Sequence, residues 1–371
     1  MLSLLLLALS GGASDAAVAG PLHAAPPAES RCDTNCAGRP ADVVEASTGI
    51  ATLGEASRID RSLARLNALR TASGAQALDR SEVLFASASH HAAYLSRNGF
   101  RSAPSVHAET AGLVEFTGVN PFVRMREGGY RPSYATEVVG DLGSTATDSD
   151  CVEHLMRTVY HAALLLSRVT EVGMAYGSAN AAGTCVIDLG VPLPTPTTEG
   201  PRQIVRYPWP GMTLSTGSLR LDSEIPRPAP RQLPDSSVGI SVLVGLRDAG
   251  PAVTGAGTPA IQIQDFQLRD AMDAPVSCVI LADPVVSGPG IVPDVSLHGS
   301  FVALIPRKPL PAGHYRVLLH ATIGADPIAP PPWTFVVAPS GTPIGPDQVG
   351  SARLPTTRHL ATWLTSAAAQ D

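Results

Sequence analysis

Two histidines and one glutamate in the first half of the chain have the clearest capacity for chemistry. His107 and His161 lie on either side of Glu137, among otherwise apolar segments. Imidazole is the commonest metal ligand in proteins and changes its charge near neutral pH, and a carboxylate can share a metal or accept a proton. The pattern therefore predicts a polar site that could hold a divalent metal such as Zn²⁺. The alternative is that these are surface or core histidines that happen to crowd.

The remaining histidines nearby have less support as site residues. His91 falls on the inward face of a predicted helix and could lie beneath the site. His154 precedes His161 by seven residues, so the two share a helical face only if one helix runs through both. We expect His90 and His154 to be solvated.

Periodic apolar residues predict the helices that must position this site. The first helix runs from Ile59 at three- and four-residue spacing until Gly74 ends the pattern. In the second, Asp79 and Glu82 have the spacing of a capping box, and the helix is expected to end near Asn98.

Two further helices and a hairpin follow. Pro121 opens a short helix that Gly128 closes, and another helix begins near Asp148. Residues 171–177 and 184–191 are two short apolar strands joined by small residues, which predicts an antiparallel hairpin.

Length and charge limit the class of protein. A chain of 371 residues exceeds the size at which a single hydrophobic core usually stops growing, so we expect two domains. Hydrophobic residues make up 44% and charged residues 16%, as in folded soluble proteins. The net charge of -6 and the lack of any Lys/Arg run argue against a nucleic acid partner.

The sequence divides into six segments. Residues 1–24 resemble a secretory signal peptide whose apolar run is too short to span a bilayer. We therefore expect export to a periplasm or the cell exterior, with no transmembrane span in the mature chain. The other segments are a linker, a first domain, a Pro/Thr-rich linker, an all-β domain of short strands and a tail: residues 25–52, 53–193, 194–204, 205–340 and 341–371.

Five cysteines fit an exported chain with one or two disulfides. Cys151 at a predicted helix start and Cys185 in a predicted strand could form one bond. Cys32 and Cys36 could close a small loop in the first linker. Cys278 lies in an apolar strand and is expected to be a buried free thiol.

The order of several strings resembles the CAP superfamily of cysteine-rich secretory, antigen 5 and pathogenesis-related proteins, in its bacterial SCP-like branch. The resemblance spans about a third of the chain and rests on six strings: LNALRTASGAQALDRSEVLFASASHHAAYL, SVHAE, FTGVNPFVRMREGGY, ATEVVGD, VYHAALLL and EVGMAYG. The resemblance implies an α+β fold, a three-layer α-β-α sandwich. It also implies a cleft faced by two histidines and two glutamates, in which the histidines can hold a divalent metal.

The cleft residues implied by this resemblance are incomplete. His107, Glu137 and His161 match the first histidine, one glutamate and the second histidine, but the second glutamate is expected near Thr158. Because His107 and Glu109 are two residues apart, an extended backbone would place both on one face, so we hypothesise that Glu109 supplies the missing acid. A solvated Glu109 is the alternative.

The C-terminal strings FVALIPRKPLPAGHYRVLL and PPWTFVV resemble a bacterial immunoglobulin-like domain, which implies an all-β sandwich. Three functions then remain open for the whole chain. We favour an exported, non-catalytic binding module for an apolar, lipid-like or cell-envelope ligand, because the family is widely exported and one cleft acid is missing. The alternatives are a metal-assisted peptide or ester hydrolase with Glu137 as general base, and a structural envelope protein with a vestigial cleft.

Overall fold

The computed structural model describes seven stretches of the chain: residues 53–99, 105–141, 150–177, 184–194, 204–246, 260–297 and 301–342. The predicted signal peptide, the first linker with Cys32 and Cys36, and the C-terminal tail lie outside the described residues. We call residues 53–194 the N-terminal region and residues 204–342 the C-terminal region. Both belong to one contact unit, Gly49–Asp371. No helix among those described has the length and apolar character needed to cross a membrane.

The described part of the N-terminal region combines short helices with a four-stranded sheet. Its helices are α1 Leu53–Ser73, α2 Glu82–Asn98, α3 Pro121–Glu127, α4 Asp150–Met156 and α5 Tyr160–Leu165. Its strands are β1 Asp79–Arg80, β2 Pro132–Asp141, β3 Glu171–Tyr176 and β4 Thr184–Pro192. The sheet order is β1-β3-β4-β2, in which β1 is parallel to β3 and the other neighbours are antiparallel.

Helices cover both faces of this sheet. Ile187 of β4 lies on one face, in the core formed with α1, α4 and α5. Val186 lies on the opposite face, which packs against α2. Gly173 of β3 brings α2 very close, because a Cβ there would lie 2.0 Å from the backbone of Leu84 and Phe85. The layering is consistent with the expected α-β-α sandwich, and β3 with β4 is the predicted hairpin.

The helix boundaries follow the sequence pattern with one correction. Gly74 ends α1 with a φ of 92°, and the Asn120 side chain caps α3. Asp79, however, does not cap α2, because it lies in β1 and its amide donates to the Thr170 carbonyl at 2.9 Å. The cap position falls to Ser81, whose side chain makes no capping bond. Strand pairing with β3 has taken the place of the predicted capping box.

The disulfide Cys151–Cys185 is confirmed and joins α4 to β4 across 34 residues of sequence. Cys278 is a free thiol but is only partly buried, since it begins a strand whose alternate residues face outward. Burial still raises the pKa of its thiol to about 12.

The C-terminal region is built from strands throughout its described residues. These are β5 Val205–Tyr207, β6 Thr213–Leu214, β7 Ser218–Arg220, β8 Ser237–Gly239, β9 Val242–Gly245, β10 Ile261–Arg269, β11 Cys278–Ala282, β12 Val286–Ser287, β13 Ile291–Pro293, β14 Phe301–Pro306, β15 Gly313–Ile323, β16 Asp326–Ile328 and β17 Trp333–Val337. One sheet has the order β12-β10-β15-β17-β6, with β16 paired to β15, and a second has the order β13-β11-β14-β9-β5. A small third sheet pairs β7 with β8.

The two regions share one apolar core. Tyr207 and Trp209, near the start of the C-terminal region, are buried in the same cluster as Leu66 of α1 and Val159 before α5. Trp333 is buried as well, and its indole N–H donates to the Pro208 carbonyl at 2.9 Å. These aromatic residues therefore anchor the C-terminal region and its join to the N-terminal region.

Candidate ligand-binding cleft

Five charged or titratable residues from separate elements meet on the α2 side of the first sheet. His91 comes from α2, Arg124 from α3 and Glu137 from β2, while His107 and Glu109 lie in the loop between α2 and α3. We call these five residues the cleft cluster. All of them are buried except His107, whose side chain is 34% exposed.

Arg124 is the hub of the cleft cluster. Its Nη2 donates to Glu137 Oε2 at 2.6 Å, and its Nη1 donates to the His107 carbonyl at 3.0 Å. Its Nε lies 3.6 Å from Glu109 Oε1. A planar guanidinium suits such a role because it offers several donors in fixed directions. The guanidinium of Arg124 thus faces the carboxylates of both Glu109 and Glu137. Arg124 was not among the site residues predicted from the sequence.

Glu137 is held as a carboxylate. Burial alone would raise its pKa, but the hydrogen bond from His107 and the positive charges of His91 and Arg124 outweigh burial and lower the pKa to about 2. Both of its oxygens accept a hydrogen bond, one from His107 and one from Arg124. A general base near neutral pH needs a higher pKa, so the lowered pKa of Glu137 does not suit that role.

His107 is the part of the cleft cluster that a ligand can reach. Its Nδ1 lies 2.9 Å from Glu137 Oε1. Because an ionised carboxylate only accepts, Nδ1 carries the hydrogen, and Nε2 has no partner among the described residues. Glu137 therefore orients the imidazole with a free nitrogen directed away from the carboxylate.

His91 and Glu109 form a second, fully buried pair. His91 Nδ1 lies 2.9 Å from Glu109 Oε1, and His91 Nε2 lies 2.9 Å from the Val106 carbonyl oxygen. Both partners are oxygen acceptors, so each ring nitrogen is placed to donate to one of them. Burial would raise the pKa of Glu109, but hydrogen bonds from His91 and from the amides of Thr117 and Gly118, with the charge of Arg124, lower it.

Asp188 adds a third buried carboxyl beside the cleft cluster. It is directly opposite Glu137 in the register of β2 and β4 and is fully buried. Burial, and next the negative charge of Glu137, raise the pKa of Asp188 well above its ordinary value. Both effects favour the neutral, protonated form of this side chain. An aspartate inside the apolar string TCVIDLG was the signal that could have identified it.

His161 lies outside the cleft cluster. The helix expected to run through His154 and His161 is two helices, α4 and α5, so the two histidines do not share one helical face. The imidazole of His161 contacts Thr158 Oγ1 at 3.2 Å and Glu224 Oε1 at 3.4 Å. The structure thus brings His107, Glu109 and Glu137 together, with His91 in place of His161.

His90 and His154, both expected to be solvated, differ in their exposure. His90 is exposed, as expected. His154 is partly buried, and burial, followed by the charge of His161, lowers its pKa. Among the described residues, neither side chain forms a hydrogen bond or an ion pair with the cleft cluster.

The cleft cluster does not fit the divalent metal that the resemblance implies. Within the described ranges, no group of three or more His, Cys, Asp and Glu side chains is arranged to hold a metal ion. Both oxygens of Glu137 and both nitrogens of His91 already face protein groups. A cation would also meet the guanidinium of Arg124. The donor atoms as arranged fit an ion-pair cluster.

An apolar rim borders the cleft cluster. The loop that follows Glu109 and the start of α3 carry five large apolar side chains that are 36% to 64% exposed. They are Leu113, Val114, Phe116, Val119 and Phe122. The amides of Thr117 and Gly118, within this stretch, donate to Glu109 at 2.6 and 3.1 Å, so the rim is attached to the buried acid.

Comparison with known proteins gives one family match. Residues 63–189 match the family model of the cysteine-rich secretory proteins, CAP. The match spans α1 to β4, which includes the whole cleft cluster. A comparison with curated proteins found no match.

The CAP match agrees with the resemblance of the sequence strings and with the layering of the N-terminal region. One solved structure, PcoC, a methionine-rich copper resistance protein from Escherichia coli, aligns at 17% identity over 36% of this chain and 92% of that chain. Its TM-score of 0.20 is too low to carry an argument about fold or function. The CAP match is therefore the comparison on which the function is built.

Proposed function

We propose that this protein is an exported, non-catalytic binding module that holds an apolar or lipid-like cell-envelope ligand on the apolar rim, beside His107. The observation that carries the proposal is the rim itself. Large exposed apolar groups in one short stretch of a soluble protein commonly mark a binding surface. The His107 Nε2 beside the rim could receive a polar group of the ligand. The Cys151–Cys185 disulfide supports export to an oxidising compartment.

An uncharged apolar fluorophore, N-phenyl-1-naphthylamine, tests the rim directly. Replacing Val119 and Phe122 with serine should weaken binding at least about tenfold, because each buried apolar side chain is worth roughly 1.5–3 kcal/mol. Both side chains are about half exposed, at 51% and 46%, so the fold should tolerate the change. A matched control replaces Ile225 and Met272, which are 97% and 85% exposed elsewhere, with serine. Equal affinity of the two double variants would refute the proposal.

The C-terminal region is proposed to be an immunoglobulin-like sandwich that serves as a spacer or a platform for partners. Two larger sheets share its core. The Tyr315 hydroxyl donates to the Pro311 carbonyl at 2.8 Å, a bond of the kind seen at the tyrosine corner of such sandwiches. Both residues belong to the string that carried the resemblance.

A hydrolase is the second candidate, with roles different from those expected from the sequence. Glu137 orients His107, and the free Nε2 of His107 is the group placed to act as general base. Hydrolysis of a p-nitrophenyl ester should then disappear in His107→Gln and fall in Glu137→Gln, with Glu115→Gln, an exposed residue of the rim loop, as a control. Absence of turnover above the control reaction in the wild type would remove this candidate.

Zinc binding can be decided separately by calorimetry. We expect Zn²⁺ to give the same heats with the wild type and with a His107→Ala/His161→Ala variant, because, apart from His107 Nε2, the donor atoms of the cleft cluster face protein groups. A saturable signal that only the wild type shows would restore a metal centre.

A further inference from the structure

Helix α5 is too short to be stable by itself and is held at both ends by buried charges. It has six residues, and its first amides have no acceptor within the helix. At its C-terminal end, Arg70 of α1 donates to the carbonyls of Leu165 at 2.5 Å and Ser167 at 3.0 Å. The charge at the N-terminal end comes from the other region of the protein.

Glu224 of the C-terminal region binds the start of α5. Its Oε2 accepts from the Val159 amide at 2.8 Å, and its Oε1 accepts from the amides of Tyr160 at 2.6 Å and His161 at 3.4 Å. The Glu224 side chain is fully buried. A negative charge at this end of a helix is favourable, because the free N–H groups give it a partial positive charge.

The same carboxylate, together with Thr158, favours one ring nitrogen of His161 as the one that carries the hydrogen. Thr158 Oγ1 donates its one hydrogen to the Leu155 carbonyl at 2.7 Å, so it can only accept from His161 Nδ1, 3.2 Å away. Glu224 Oε1 lies 3.4 Å from the same nitrogen. With two acceptors facing it, Nδ1 bears the hydrogen, and Nε2 of this 17% exposed side chain is left without a partner among the described residues.

We propose that Glu224 is a positioning residue that reaches from the C-terminal region to fix α5 and the tautomer of His161. The two regions together then build a second histidine–glutamate pair, His161–Glu224, that the N-terminal region does not contain alone. In both pairs Nδ1 lies toward the carboxylate, at 2.9 Å in His107–Glu137 and at 3.4 Å in His161–Glu224. This inference does not depend on the ligand proposed for the apolar rim.

The full-length protein provides the test, through ¹⁵N NMR of the histidine rings. In the wild type, His161 should show the Nδ1–H tautomer. In Glu224→Ala only Thr158 still faces Nδ1, so the ring nitrogen shifts of His161 should move part of the way toward the exchange-averaged values of an exposed imidazole. The Tyr160 hydroxyl still donates to Asp294 Oδ2 at 2.7 Å and helps to keep the regions together.

Glu224→Gln guards against loss of folding, because it keeps the side-chain length and one acceptor oxygen, while it loses the charge and replaces the other oxygen with an NH2 group that cannot accept. We expect a smaller Nδ1–H fraction for His161, an upfield shift of the Tyr160 amide proton, and about a tenfold larger unfolding constant. Asp222→Asn, two residues away and 44% exposed, is the control and should change none of these. The proposal would be overturned if a folded Glu224 variant kept the ring nitrogen shifts that His161 has in the wild type. It would also be overturned if Asp222→Asn changed these shifts as much as the Glu224 variants do.

Discussion

At the scale of single residues, Arg124 determines whether the cleft cluster can stay buried. Replacing it with alanine leaves Glu109 and Glu137 without their guanidinium, and breaking a buried pair in this way costs about 3–5 kcal/mol. Urea unfolding should show a loss of this size. Arg126→Ala is the control, because Arg126 is exposed and lies over the Phe122 ring at 5.5 Å, so its loss should cost less than about 1 kcal/mol. Similar losses in both variants would contradict the role given to Arg124.

The lowered pKa of Glu137 predicts how the free energy of unfolding changes at acid pH. A carboxyl whose folded pKa lies below its unfolded value contributes stability above the unfolded value, and this is lost as pH falls through the folded value. For Glu137 that window runs from about 4.5 down to about 2. The free energy of unfolding of the wild type should therefore fall steeply in this window, and that of Glu137→Gln less steeply. Parallel curves would contradict the assignment.

The sequence predicted part of this site. His107, Glu137 and His161 were predicted as one group from their clustering in apolar segments and from the family order, and Glu109 was proposed from its two-residue spacing to His107. His161 was grouped with them through the family order, but the break between α4 and α5 places its imidazole beside Glu224. Arg124 was overlooked because nothing in a single helical arginine indicates that it is buried.

At the scale of elements, the disulfide ties α4 to β4. In the chain-entropy view, a bond closing 34 residues stabilises the fold by about 3–4 kcal/mol. Replacing Cys151 and Cys185 with serine should lower the free energy of unfolding by about this amount, and dithiothreitol should have the same effect on the wild type. Cys278→Ser should change stability little and should not alter the response to the reductant. A reductant effect that survives in the double variant would point to another bond.

Helices were more predictable than their boundaries and neighbours. Apolar spacing identified α1, α2 and α3, since burial of one face leaves a local pattern. The pattern at Asp79 was read as a cap, whereas the backbone there pairs with β3, some 90 residues later in the chain. Such long-range pairing leaves no local signal, so local capping rules misplace the start of α2.

At the scale of the whole molecule, the two regions share a core and should not separate cleanly. A chain truncated after residue 204 would expose the apolar surface of α1, α4 and α5 that packs with Tyr207 and Trp209. We expect it to bind 8-anilinonaphthalene-1-sulfonate strongly and to lose near-ultraviolet circular dichroism. The full-length chain should unfold in one cooperative transition. Two well-separated transitions, with a native-like truncated chain, would show independent domains.

The sequence pattern predicted a helical stretch followed by a region of short strands, but it did not predict the contacts between the two regions. Short strands with frequent turns distinguished residues 205–340 from the helical stretch before them. The buried contacts of Glu224 and Asp294 with α5 could not be read in advance, because each links positions more than 60 residues apart. His161 contacts Glu224 of the C-terminal region, whereas the apolar rim lies wholly within the N-terminal region.

The close approach at Gly173 gives the N-terminal region a pivot. The contact joins the backbone of β3 to the backbone of α2 at Leu84 and Phe85, so its length does not depend on the volume of any side chain. Repacking elsewhere along the interface would therefore tilt α2 about this point without sliding it. His91 is two turns further along, roughly 10 Å from the pivot, and would swing on a short arc. Small changes in core packing would thus rotate the part of α2 that carries His91.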